Sequence, residues 1–400
     1  MGDGTHRWFC RLRAHGDHHP GEAAGPEGDG DLPDQGGGGE GESSPPPDGA
    51  PGTGREPEQG QRRLGARVAR RAAFAAGAAV VAAVLVVAGV AGYLYGTYHL
   101  DAEAPPTGGP SAVWLGQAWA GEAHSPAQYR ALASELSSAG ISDVFVHVGP
   151  LDGDGTIPAP RYSNGAILLV SLHRLDPRVR VQAWVGQLVA PDGPLKLGDA
   201  AVRARIVATA SQLLHLGFDG IHYDLEPILS GNSAFVALLD ATSALTRTDH
   251  RLLSVSAPPS DPTPVGFLLD RLDSGYQPWS LGYYRTVAAR VNQIAVLTYG
   301  HGFPTTWAYG SYVRAVTHQL LSAVPRGPTM LIGLPTYDVV DWGVFHHAET
   351  LQAGLRGIRE AVASLPRDQA ARAGVAIYAE WTTDQAQWQA FREGWLRPTR

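Results

Sequence analysis

From about residue 111 onward, short apolar runs of five to eight residues alternate with longer segments whose apolar positions recur every three to four. The first pattern predicts buried strands and the second predicts helices packed by one face. Eight strands are expected, at Ala112–Gln117, Asp143–Val148, Val179–Val185, Gly220–Leu225, Leu252–Ala257, Gln293–Tyr299, Met330–Leu334 and Val375–Ala379. Between them, Ser125 caps a helix with Pro126 in its first position, and Ala200–Leu216 places Val202, Ile206, Ala210, Leu213 and Leu214 on one face. Asn232–Arg247, Tyr312–Val324 and Glu349–Leu365 continue the series. Eight strand–helix units over about 290 residues predict a (β/α)8 TIM barrel, an α/β fold occupying 111–400. A doubly wound sheet is the alternative, but no glycine-rich phosphate loop follows the first strand.

Upstream the pattern disappears. Residues 1–70 are rich in Gly, Pro, Asp and Glu, with Gly36–Gly39 and Pro45–Pro47 as uninterrupted runs, so a disordered cytoplasmic tail is expected. His15, His18 and His19 fall in this tail and read as solvated rather than metal-binding. Arg62, Arg63, Arg67, Arg70 and Arg71 then precede an uncharged apolar run from Ala72 to Tyr95, long enough to cross a bilayer as one helix. Tyr93, Tyr95 and Tyr98 sit at its far end, where an interfacial belt belongs. The arginines predict a single-pass anchor over 71–98 with its N-terminal side in the cytoplasm of a cell membrane and everything beyond outside. A short stalk (99–110) would join anchor to barrel.

Composition narrows the function classes. Net charge is -7 and Lys196 is the only lysine, so no basic face argues for nucleic acid. Cys10 is the single cysteine and no Cys/His spacing suggests a metal site, so neither disulfide, metal nor cofactor is expected.

The fourth strand carries the chemistry. In Gly217-Phe218-Asp219-Gly220-Ile221-His222-Tyr223-Asp224-Leu225-Glu226-Pro227, alternation sends Ile221, Tyr223 and Leu225 to one face and His222, Asp224 and Glu226 to the other. A ladder of ionisable groups on a strand is costly unless it meets water, a partner or a substrate. At the C-terminal strand ends, where a TIM barrel does its chemistry, stand further polar and aromatic residues: Trp119, Trp184, Tyr299, Tyr337, Tyr378 and Trp381. Carboxylates among aromatics suit sugar rings, whose C–H faces stack while hydroxyls take polar partners.

Asp219-Gly220-Ile221-His222-Tyr223-Asp224-Leu225-Glu226 resembles the Asp-Gly-x-Asp-x-Asp-x-Glu signature of glycoside hydrolase family 18, the chitinase family. Leu297-Thr298-Tyr299 resembles its Met-x-Tyr on strand six, Gly333-Leu334-Pro335-Thr336-Tyr337 its strand-seven Gly-x-Pro-x-Tyr, and Gly374–Tyr378 its strand-eight segment. The resemblance implies retaining, substrate-assisted hydrolysis of an N-acetylhexosamine polysaccharide. Glu226 would be the general acid, Asp224 would orient the substrate's 2-acetamido group, and Tyr299 would hydrogen-bond its oxygen. His222, Asp219, Trp119, Trp184, Tyr337, Tyr378 and Trp381 are the expected substrate-binding residues. Two carboxylates two residues apart share a face, which is expected to raise the proton affinity of each.

This chain departs from the family pattern at His222, where the middle Asp would stand, at Val181–Gly186, which lacks Ser-x-Gly-Gly, at Gly300, and at Tyr378 in place of Trp. A non-catalytic, lectin-like glycan-binding barrel is therefore the competing reading. Glu226-Pro227 also echoes the strand-four Asn-Glu-Pro of two-glutamate glycosidases, but Leu225 replaces the Asn and strand seven leads only to aspartates.

Overall fold

The computed structural model describes residues 58–100, 104–189, 193–262, 278–324, 327–337 and 347–396. Most of the expected tail and the start of the expected stalk lie outside them. Two compact units result, one within residues 8–90 and one from Ala91 onward.

A helix that begins in the first unit runs Glu58–Leu100, longer at both ends than the apolar run alone suggests. Arginine, glutamate and alanine are strong helix formers, so the basic flank continues the same helix. Its Arg70–Tyr93 stretch is long and apolar enough to cross a membrane, by length and composition. Its apolar side chains are exposed, Phe74 at 81% and Leu85 at 66%.

The second unit is a closed barrel of eight parallel strands in sequential order. They are β1 Ser111–Leu115, β2 Asp143–His147, β3 Arg180–Leu188, β4 Gly220–Glu226, β5 Leu252–Ala257, β6 Gln293–Leu297, β7 Thr329–Pro335 and β8 Ala373–Tyr378. All eight expected strands are present; β5 has the expected ends, and no end of the others is shifted by more than three residues. The helices that follow them in turn are α1 Pro126–Ser138, α2 Gly165–Leu175, α3 Ala200–Leu216, α4 Ser233–Thr248, α5 Leu281–Ala288, α6 Thr306–Ala323, α7 Leu351–Ala363 and α8 Gln385–Trp395.

Local chemistry explains the helix ends. Ser125 and Gln128 form a reciprocal capping box on α1, the Ser125 N–H donating to Gln128 Oε1 at 2.8 Å. Asn232 Oδ1 accepts the Phe235 N–H at 3.0 Å to start α4. Gly217 closes α3 in the left-handed region (φ 115°), which leads the chain directly into β4.

The main core lies between the sheet's outer face and the helices. Val113, Leu115, Val144, Val146, Val181, Ile221 and Tyr223 are wholly buried there, each large side chain contributing about 1.5–3 kcal/mol by leaving water. Gly220 is a steric requirement: a Cβ there would stand 2.6 Å from the Leu252 carbonyl oxygen on β5. Inside the barrel the filling is partly polar. His222, Gln182, Ser254, Gln293 and Asp143 are all buried, and every one is hydrogen-bonded to another.

Candidate active site

Parallel pairing fixes which side chains meet. The register Gly186↔Asp224 and Trp184↔His222 between β3 and β4 sets Trp184 beside the ladder of β4. The Trp184 indole N–H donates to Asp224 Oδ2 at 2.9 Å. A Cβ at Gly186 would lie 3.4 Å from Trp184 Nε1, in contact with the indole that makes this bond.

Asp224 and Glu226 end β4 at the C-terminal mouth. Burial raises the Asp224 carboxyl, while hydrogen bonds from Ser256, Trp184 and Glu226 pull it back down. Desolvation, rather than the neighbouring carboxylate, therefore drives the increase. Two carboxyls in hydrogen-bond contact must share a proton. Asp224 Oδ1 is buried and has no partner of hydrogen-bonding geometry among the described residues.

An aromatic wall completes the mouth. Tyr299, two residues beyond the end of β6, is 3% exposed and stacks on Tyr378 with centroids 5.3 Å apart and planes at 22°. Tyr337 meets both rings edge-on, at 6.0 and 6.1 Å. Trp381 stands against Tyr378 at 5.8 Å and is 36% exposed. Gly333 admits the Tyr299 ring, because a Cβ would come within 3.0 Å of it. Burial first, then Tyr378, Tyr337, Asp224 and Glu226, raise the Tyr299 phenol well above its ordinary value. It stays protonated and remains a donor.

The mouth thus brings together Glu226, Asp224, Tyr299, Trp184, Tyr337, Tyr378 and Trp381. Trp119 lies to the β1–β8 side, stacked on His124 (4.2 Å) and donating its indole N–H to Glu380 Oε2 at 3.4 Å. Burial raises the Glu380 carboxyl, the Trp119 bond lowers it, and Glu135 raises it further.

Two of the expected substrate-binding residues stand away from this cluster. Asp219 precedes β4 and lies at the opposite end of the barrel, about 20 Å of extended chain from Glu226. There it pairs with His173 (2.8 Å) and Arg251 (3.3 Å) and accepts the Val181 N–H (2.8 Å). His222 is wholly buried in the lumen, stacked on Phe145 with centroids 3.9 Å apart, in register with Trp184 and one inward position below Asp224. Trp114 Nε1, a donor only, points at His222 Nε2 (3.3 Å), which makes Nε2 the acceptor and leaves the proton on Nδ1 for Ser254 (2.8 Å). Burial pushes the ring down to about 3, so it is neutral. His222 reaches Asp224 only through Ser256, whose Oγ lies 3.1 Å from Nε2.

Sequence reasoning missed Ser256, which alternation along β5 places inward beside Ser254. It also gave no role to His147 at the end of β2. The ring of His147 lies 4.5 Å from Trp184, its Nε2 is buried without a partner, and burial lowers its pKa to about 3. Among the described residues, no group of three or more His, Cys, Asp or Glu is placed to hold a metal ion.

No protein-family model matches the sequence, and no curated protein matches it. Solved structures do match. The C-terminal domain of a protein assigned as a chitinase from Desulfitobacterium hafniense DCB-2 aligns at 15% identity, over 72% of this chain and 99% of that one, with a TM-score of 0.50. The spore cortex-lytic enzyme SleL of Bacillus megaterium QM B1551 aligns at 14% identity, over 74% and 76%, also with a TM-score of 0.50. At these identities the likeness is one of architecture, and the second unit of this chain is a (β/α)8 barrel similar in fold to those two proteins.

Proposed function

We propose that the barrel is a glycoside hydrolase that cleaves an N-acetylhexosamine-containing polysaccharide with retention of configuration. The helix before it would anchor it in the cell membrane, with the barrel on the extracytoplasmic side. The observation that carries the reading is the Asp224 carboxyl. One oxygen accepts the Trp184 indole N–H, the other is buried with no partner of hydrogen-bonding geometry among the described residues, and the Ser256 and Glu226 side chains lie close enough to lower the carboxyl's pKa. An orphaned buried acceptor is costly, and a substrate amide N–H would satisfy it.

In the proposed reaction, Glu226 gives its proton to the glycosidic oxygen as the C1–O bond breaks. The acetamido carbonyl oxygen attacks C1 from the opposite face and forms an oxazolinium ion. Asp224 Oδ1 accepts the acetamido N–H and offsets the positive charge that develops, and the Tyr299 hydroxyl donates to the acetamido oxygen. Water then attacks C1 and yields its proton to Glu226, so two inversions give net retention. Tyr378 and Trp381 offer ring faces for the sugar.

The test is release of reducing ends by the full-length chain from chitin oligomers, peptidoglycan fragments and deacetylated or galactosamine-containing polymers. Hydrolysis with retention, inhibited by a thiazoline mimic of the oxazolinium ion, is expected. Glycan binding without any reducing ends would establish the lectin-like reading instead.

A further inference from the structure

Among the buried carboxylates outside β4, Glu349 is held by backbone amides alone in the bonds of the described residues. Glu349 stands just before Thr350, the cap of α7, and is 7% exposed. Its two oxygens accept four successive backbone N–H groups. Gly300 donates to Oε2 at 2.5 Å, and His301 (2.9 Å), Gly302 (2.7 Å) and Phe303 (3.2 Å) donate to Oε1. Convergence of consecutive amides needs left-handed backbone, supplied at Gly300 (φ 78°) and Gly302 (φ 74°). Charge-assisted bonds of this kind are the arrangement that makes a buried carboxylate tolerable.

The cage acts on a residue of the mouth. The β6–β7 ladder ends at the pair Leu297↔Gly333, so Tyr299, two residues further on, has no strand pairing to hold it. The Gly300 N–H belongs to the peptide plane that carries the Tyr299 carbonyl, and Glu349 Oε2 therefore fixes the backbone rotation that aims the Tyr299 ring. From the other side, the Thr298 hydroxyl donates to the Gly333 carbonyl at 2.8 Å. The ring itself is seated by Gly333 and Tyr378.

We propose that Glu349 is the positioning residue for Tyr299: by gathering the amides of 300–303, it locks the turn that follows Tyr299 and sets the place of its hydroxyl. The proposal rests on the role given to Tyr299 above. Substitution by Gln would turn an NH2 group towards amides that need an acceptor, so part of the cage is lost while side-chain size is kept.

The test uses the full-length chain in detergent as wild type, Glu349→Gln, Tyr299→Phe and the double variant. Backbone hydrogen exchange at 300–303 and nitration of Tyr299 are read by mass spectrometry. In Glu349→Gln both are expected to rise about tenfold or more, with the β4 peptide 220–226 keeping its protection. Turnover of an N-acetylhexosamine oligomer is expected to fall about 30-fold in kcat with KM within about twofold, and this loss should vanish in the Tyr299→Phe background. Unchanged exchange and nitration overturn the proposal. So does a rise spread over the whole barrel, or losses that multiply in the double variant. If the wild type turns over no glycan, the functional reading fails, while exchange and nitration still decide what Glu349 does.

Discussion

Trp184 and Asp224 are tied by one bond, indole N–H to Oδ2 at 2.9 Å, while the second carboxylate oxygen is buried outside hydrogen-bonding geometry of any described residue. Removing the indole donor while keeping an aromatic ring, as in Trp184→Phe, should free Asp224 to rotate. A hydrogen bond to a charged group is worth about 1.5–3 kcal/mol, so glycan turnover should fall by roughly 10–100-fold. Steady-state kinetics on an N-acetylhexosamine oligomer would check this, and an unchanged kcat would remove Trp184 from the mechanism.

Glu226→Gln keeps the shape of the side chain but removes the proton that the proposed first step delivers. Turnover should drop by at least about 10²–10⁴-fold, while the thermal midpoint moves by no more than a few degrees. Residual hydrolysis near the wild-type rate would identify some other acid, Glu380 being the next carboxyl along the rim.

Asp219 offers the complementary experiment, because it belongs to the family-like motif yet sits at the far end of β4. Asp219→Asn weakens the pairs with His173 and Arg251, both partly exposed. The expected cost is about 1 kcal/mol of stability with kcat within about twofold of wild type. A large loss of activity at unchanged stability would contradict the placement.

His222 predicts a pH dependence of stability. Its folded pKa of about 3 lies below the ordinary value of 6.5, so the unfolded chain binds the proton more readily. The stabilisation is complete above about pH 6.5 and is lost as pH falls towards 3, by about 1.4 kcal/mol per pH unit for this residue. Denaturant titrations at pH 7 and pH 4.5 should therefore differ by roughly 2–3 kcal/mol more in wild type than in His222→Gln. Equal differences would mean that the ring is already solvated in the folded protein.

The barrel was legible because eight strands buried on both faces produce eight apolar runs, and helices capped by Ser125 and Asn232 announce their own starts. Helix α2 escaped notice for the same kind of reason: in Gly165–Leu175 apolar residues also lie on the outer face, Ile167 and Val170 being 57% and 62% exposed, which blurs the periodicity. At the mouth, alternation alone put Asp224 and Glu226 on one face and placed aromatics at strand ends. It could not separate the two ends of β4, so Asp219 was grouped with residues it never meets. Nor could it show that inward-facing His222 is wholly buried against Phe145, one inward position below Asp224. Glu349 was invisible because its partners are backbone amides, which leave no signature in side-chain pattern.

The lumen beneath the carboxylates is wired in one direction. Trp114 donates to His222, His222 to Ser254, Ser254 to Gln182 (2.8 Å), and Gln182 to both Gln293 (2.7 Å) and Asp143 (3.2 Å). Each hydrogen along that line is already committed, and His222 takes up no extra proton until the medium is near pH 3. Under the proposed mechanism, the proton traffic of Asp224 and Glu226 is expected to run through the mouth, because the neutral His222 beneath them already commits its one ring hydrogen to Ser254.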